Sequence, residues 1–176
     1  MTQLRTAIIE RTRMAEKINP IRETNAEAIA LARGLVSGAK HGALGVIDPQ
    51  SGAPFVSRIA TATDEAGTPI ILVSDLSRHT QALKKDGRCS LLLGEPGKGD
   101  PLAHPRITLI CAAVQEKRDD AAIALLTARF IAHQPKAALY AGFADFSFFR
   151  LDIQSAAMNG GFGRAFNLTA ADLLLA

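Results

Sequence analysis

Apolar residues along the chain change their spacing from helical to extended and back, and each change marks an element. Thr24-Asn25-Ala26-Glu27 has the form of a capping box. Ala28, Ile29, Leu31, Ala32, Leu35 and Val36 follow at helical spacing until Ser37-Gly38 ends the run. From Gly42 the pattern is extended: 43–47 reads as a short buried strand, Asp48-Pro49-Gln50-Ser51-Gly52 as a turn, and 54–63 as the second arm of a hairpin. In that arm Phe55, Ser57, Ile59 and Thr61 alternate with Val56, Arg58, Ala60 and Ala62, which puts Arg58 on one face with small residues. After the turn Asp64-Glu65-Ala66-Gly67, residues 69–74 form an apolar strand, Ser77-Arg78-His79-Thr80 open an amphipathic helix, and a third strand containing Arg88-Cys89-Ser90-Leu91 ends the stretch at Leu93.

The second half repeats the alternation. The loop beginning Gly94-Glu95-Pro96-Gly97 reads as a long hairpin connection to a strand at 106–114; its glycines lack the Gly-Lys-Ser/Thr ending of a phosphate-binding loop. Asp119-Asp120 open a helix with Ala122, Ile123, Leu125, Leu126 and Phe130 as its core stripe, and 143–153 reads as a phenylalanine-rich strand. The glycine-rich stretch 158–166 reads as a loop able to lie against a flat ligand, and 169–175 as a short capped helix. About six strands, joined mainly as antiparallel hairpins with flanking helices, predict a mainly β, α+β, barrel-like fold. A polar N-terminal arm over 1–22, with a short helix near 6–17, precedes a single domain over 23–176.

Composition narrows the function classes. A chain of 176 residues with 48% hydrophobic and 21% charged residues is one ordinary domain. No apolar run approaches the roughly 20 residues that span a bilayer, and the charged start does not suit a secretory signal, so the expected location is cytoplasmic, away from the membrane. The net charge of +3 comes from cations scattered among acids without interleaved aromatics, which argues against nucleic acid as a partner. Cys89 and Cys111 read as buried thiols in strands. No metal site is expected, and His41, His104 and His133 read as surface residues.

The chemistry concentrates where the strand ending at Ser74 meets the helix opened by Ser77-Arg78-His79-Thr80. A first helical turn leaves N–H groups unpaired at the positive end of the dipole and so favours an anion. Ser77 supplies a cap or a hydroxyl, Arg78 a planar fork of donors, His79 a donor or a charge, and Thr80 a second hydroxyl. Arg58 lies on the neighbouring antiparallel strand, so two arginines are expected to converge on one phosphate. The same residues serve equally as an ordinary N-cap followed by a solvated helix.

These residues resemble the pyridoxamine-phosphate-oxidase-like flavin-binding split barrels over 27–166. The resemblance rests on Arg58-Ile59 on one strand, Val73-Ser74 at the end of the next, and Ser77-Arg78-His79 opening the helix that leads to Arg88-Cys89-Ser90-Leu91, and it extends the cofactor-binding positions to Ala60, Thr61 and Thr80. It implies a six-stranded antiparallel split β-barrel in which these positions hold the phosphate and ribityl chain of FMN, and Arg106 stands where the family often has a glutamine near the flavin ring. Thr63 and His79 replace lysines of the vitamin B6 oxidases, and the terminal Arg-x-His segment of those enzymes is missing. The stretch Gly160-Gly161-Phe162-Gly163-Arg164-Ala165, with His79-Thr80, is more similar to the haem-utilisation branch, whose members bind FMN and in some cases bind or degrade haem. The resemblance therefore implies a homodimer with the flavin site between subunits. The phenylalanine-rich strand and the Gly-Gly-Phe-Gly loop are its interface elements, and Phe162, Gly163 and Arg164 lie on the substrate side or reach in from the partner. The expected function is an FMN-dependent oxidoreductase acting on a small substrate. The alternatives are a haem-binding or haem-degrading protein and a flavin binder without turnover; no catalytic residue is assigned.

Overall fold

The structure, a computed structural model, describes residues 21–117, 121–161 and 163–175. Eight strands run in chain order as β1 (Ile21–Arg22), β2 (His41–Ile47), β3 (Pro54–Thr63), β4 (Pro69–Ser74), β5 (Arg88–Leu93), β6 (Arg106–Gln115), β7 (Phe146–Asn159) and β8 (Ala165–Thr169). The helices are α1 (Ala26–Gly38), α2 (Arg78–Lys85), α3 (Ala121–His133) and α4 (Ala170–Leu173). The predicted arm helix and the acids at 119–120 lie outside the described residues.

Strands β7, β4, β3, β2, β5 and β6 pair in that order, and β6 closes back onto β7. The result is the six-stranded antiparallel barrel expected from sequence, with two further strands. The closing strand is long because it serves two partners. Its first residues pair with β4 and its last with β8, while β6 pairs with it from Phe149 to Asn159. Opposite Ile110 and Cys111 the register slips by one residue, a bulge that lets the strand turn from one partner to the next. β1 adds in parallel to β8, so Ile21 and Arg22 at the end of the expected arm belong to the sheet.

Two cores result. The barrel interior holds Leu44, Ile71, Leu91, Ile107, Leu109, Phe149 and Leu151, each at most 1% exposed, and α1 and α2 close onto it through Ala28, Ala32, Val36, Ala82 and Leu83. Outside the barrel, α3 lays Leu126 and Phe130 on Ala62, Ile70, Leu72 and Phe148, with Phe130 edge-on to Phe148 at 5.6 Å. Leu125, expected in that stripe, is instead 72% exposed, because the helix meets the sheet along a narrower face. α3 covers the β3–β4–β7 side only. Beyond Ala60 and Ala62, which α3 covers, the outward side chains of β2, β3, β5 and β6 carry no helix among the described residues, and all are half-buried or exposed.

Two expectations change. α1 is capped by Asn25, whose Oδ1 accepts from the Ala28 amide at 2.9 Å, while the Thr24 hydroxyl donates to the Asn167 carbonyl of β8 at 2.8 Å. The proposed loop at 158–166 is a hairpin: β7 runs on to Asn159, which pairs with Ala165. The Gly160 amide donates to the Arg164 carbonyl at 2.7 Å to close it. Gly161 sits at φ +80°, and an added Cβ would stand 2.5 Å from the Ala103 carbonyl oxygen, so the tip packs on the loop before β6.

Candidate functional site

The strand-to-helix junction forms as expected, with Ser77 at the N-cap position of α2. Its groups, however, bond to one another. Ser77 Oγ lies 2.6 Å from the Ser74 carbonyl, 2.7 Å from Thr80 Oγ1 and 3.0 Å from His79 Nε2, while His79 Nδ1 lies 3.0 Å from Ser57 Oγ. Ser77 has one proton and gives it to the carbonyl, so it accepts from both Thr80 and His79. Burial holds the His79 pKa below its ordinary value, which makes the imidazole neutral, with Nε2 donating and Nδ1 accepting from Ser57. Thr80 is fully buried. Ser74 Oγ donates to Asp145 at 2.6 Å.

Arg78 is held too. Its Nε lies 2.9 Å from Asp48 Oδ1 and its NH2 2.9 Å from Asp48 Oδ2, and its guanidinium stands 4.8 Å over the Phe55 ring. Asp48, 2% exposed, also accepts from the Ser51 amide at 3.0 Å and the Ser51 hydroxyl at 2.5 Å. The Arg78 fork and these bonds hold its carboxyl well below the usual carboxylate range and raise the arginine in turn. Asp48, Ser57 and Phe55 were missed by the sequence reading. The turn residues around Asp48 read as a turn satisfying itself, and nothing in their spacing pointed 30 residues ahead.

The two arginines do not converge. Arg78 and His79 meet Phe55 and Ser57, the inward-alternating positions of β3, whereas Arg58 projects from the other side of that strand. Ile59, Thr61 and Val73 turn their side chains into the barrel, and Ala60 lies partly under α3. Arg106 starts β6 with NH1 3.0 Å from the Leu102 carbonyl, and Arg164 crosses its hairpin to the Gly160 carbonyl at 3.0 Å. Gly163 takes φ +71° in that turn, and Phe162 lies outside the described residues. Phe148 and Phe149 are buried within the chain.

Arg58 belongs to the uncovered outer face. Strand register sets Arg58, Ala43, Leu92 and Thr108 in one row across β3, β2, β5 and β6, with Val56, Gly45, Ser90 and Ile110 in the next. Val56, Leu92 and Ile110 are 62%, 42% and 47% exposed, and Gly45 and Ala43 lie low between them. His41, opposite Ala60, begins β2 at the edge of this face, its Nδ1 3.1 Å from Glu95 Oε1. Among the described residues no group of three or more His, Cys, Asp or Glu side chains is placed to hold a bare metal ion, and no helix is long and apolar enough to cross a membrane.

A closed six-stranded antiparallel barrel with a long shared strand defines a split-barrel protein. Residues 23–173 match the CREG β-barrel family, and the chain belongs to that family. It is 36% identical over 118 residues to the non-canonical chloroplastic heme oxygenase HOZ of Arabidopsis thaliana, a match covering 65% of this chain and 34% of that protein. The chain thus matches about a third of its curated relative's length. Among solved structures, a protein of unknown function from Agrobacterium tumefaciens is 31% identical with a TM-score of 0.76, covering 87% of this chain and 62% of that one. A heme binding protein from Mycobacterium smegmatis is 28% identical, also with a TM-score of 0.76, covering 85% and 61%.

Proposed function

We propose that the chain binds haem on the outer face of its barrel, as a homodimer in which two such faces enclose the ligand. The observation that carries this reading is the contrast in polar satisfaction. The helix-start residues that would hold a flavin phosphate bond to one another and to Asp48, while the outer face combines exposed apolar side chains, small residues and an arginine with no protein partner among the described residues. A large flat apolar molecule with carboxylates suits that face. The names of the relatives in Arabidopsis and Mycobacterium support the same ligand class. The second copy is supported by the bare face itself, since exposed apolar side chains on adjacent strands are covered in most folded proteins. Bound haem would supply iron for oxygen chemistry; the chain supplies the platform, the cation and the exclusion of water.

One observation favours FMN as a second reading: the Ser77 hydroxyl makes no capping bond to the first turn of α2, so that turn's amides remain available to a phosphate. Titration of the purified protein with haemin and, separately, with FMN distinguishes the two. The expected result is a saturable Soret change with haemin and no quenching of FMN fluorescence. Saturable quenching without a Soret change would replace haem by flavin, with the oxidoreductase reading then restored.

A further inference from the structure

We infer that His41 is the protein ligand to the haem iron and Arg58 the partner of a haem carboxylate, an assignment that rests on the haem reading above. The chain has four histidines, all among the described residues. His79 has both ring nitrogens on serine hydroxyls and is half-buried. His104 lies against Gly97, with Nε2 on the Lys98 carbonyl at 3.0 Å. His133 places Nε2 on the Ala39 carbonyl at 2.9 Å. Each of these three spends its outer nitrogen on the protein. His41 differs. Its contact is through Nδ1, to the Glu95 carboxylate at 3.1 Å, and Nε2 has no protein partner among the described residues. With Nδ1 set against the carboxylate, Nε2 is the nitrogen left to ligate; metal-bound histidines commonly place their other ring nitrogen against a carboxylate in this way.

Position agrees with chemistry. Odd-numbered residues of β2 face outward, so His41 shares a side with Ala43 and Gly45, where no side chain stands high enough to obstruct a flat ring. His41 is opposite Ala60, and Arg58 is opposite Ala43, so the two are diagonal neighbours on one face of adjacent strands, about 7–8 Å apart. Leu92, opposite Ala43 on the other side, is the apolar contact. Other ligand types are poorly placed. The thiols of Cys89 and Cys111 face the interior, where burial pushes the Cys89 pKa up to about 12 and that of Cys111 higher still, so neither becomes a thiolate.

The test is haem titration of the full chain, read by the Soret band and by electron paramagnetic resonance of the ferric complex. The wild-type chain is expected to give a histidine-ligated spectrum. His41→Ala and His41→Gln are expected to lose that signature and bind at least tenfold more weakly, and added imidazole is expected to restore the wild-type spectrum. Glu95→Gln shifts the spectrum less, and His104→Ala leaves it unchanged. If the wild-type chain binds haem and both His41 variants keep its spectrum and affinity, the assignment fails while the haem reading stands. If the wild-type chain shows no saturable Soret change, the haem reading fails and takes the assignment with it.

Discussion

The start of α2 and the outer face of the barrel carry the same kinds of residue, an arginine, a histidine and small or hydroxyl side chains, yet they end in opposite states. At α2 the groups are crowded between a helix and a barrel end. Desolvation forces His79, Ser77 and Thr80 to find partners within the chain, while Arg78, itself still exposed, is taken up by the buried Asp48 carboxylate. On the outer face no described element packs above these strands, so Arg58 meets no partner among the described residues, and His41 meets one through a single nitrogen. Residue types that recognise an anion are also those that satisfy one another when buried. Which of the two happens depends on whether anything covers them.

The sharpest break of this comparison uses two neighbours on β5. Leu91 points into the barrel and is fully buried, whereas Leu92 points outward and is 42% exposed. Leu91→Ala is expected to cost about 2–5 kcal/mol of unfolding free energy by leaving a cavity in the interior. Leu92→Ala is expected to change stability by about 0.5 kcal/mol or less and to weaken haem binding and self-association instead. Urea unfolding at fixed protein concentration, followed by sedimentation, measures both. Equal destabilisation by the two substitutions would mean that the outer face is covered within the folded chain.

A second break concerns pH. Asp48 and Asp86 are both held below the usual carboxylate range, Asp86 at about 2, by the arginine each one binds. A carboxyl whose folded pKa lies below its unfolded value of about 3.9 stabilises the fold above that value and loses the contribution as pH falls toward the folded pKa. Stability should therefore decline from about pH 5 downward. Asp48→Asn removes one of the two contributions, so its stability curve should fall less steeply over pH 5 to 2 while lying below wild type at pH 7. Parallel curves for the two proteins, measured by urea midpoints at each pH, would show that the Asp48–Arg78 pair is not what the acid disrupts.

The barrel was legible because each strand carries its own record: alternation in β3, an apolar run in β4, and Gly52 and Gly67 at positive φ in the hairpin turns. Helix α2 was legible to within one residue of its start, Ser77 being its N-cap position and Arg78 its first helical residue. What escaped was every interaction set by distant register. Thr24 looked like a cap because Glu27 follows it, but β8 draws its hydroxyl away and leaves Asn25 to cap. The glycines after Met158 looked like a loop, since the hairpin they form is specified by the pairing of Asn159 with Ala165, which no local pattern announces. Arg58 and Arg78 were expected to converge from their separation across one hairpin. Strand parity, visible in the sequence, already placed Arg58 opposite to Phe55 and Ser57; only the structure shows that α2 packs on the latter side.

The smallest expected effect separates the two arginines. Arg58 is exposed and makes no bond within the described chain, so Arg58→Ala should leave the unfolding midpoint within about 0.5 kcal/mol of wild type. Its loss should lower haem affinity by about 0.5–1 kcal/mol, roughly two- to fivefold, as for an exposed ion pair, and the difference should shrink at high salt. Arg78→Ala should do the reverse. It strands the buried Asp48 carboxylate and lowers stability, and it leaves haem affinity where it was. A haem affinity that responds to Arg78 and ignores Arg58 would return the ligand's anion to the start of α2, and with it the phosphate-binding role that the sequence first suggested for that helix.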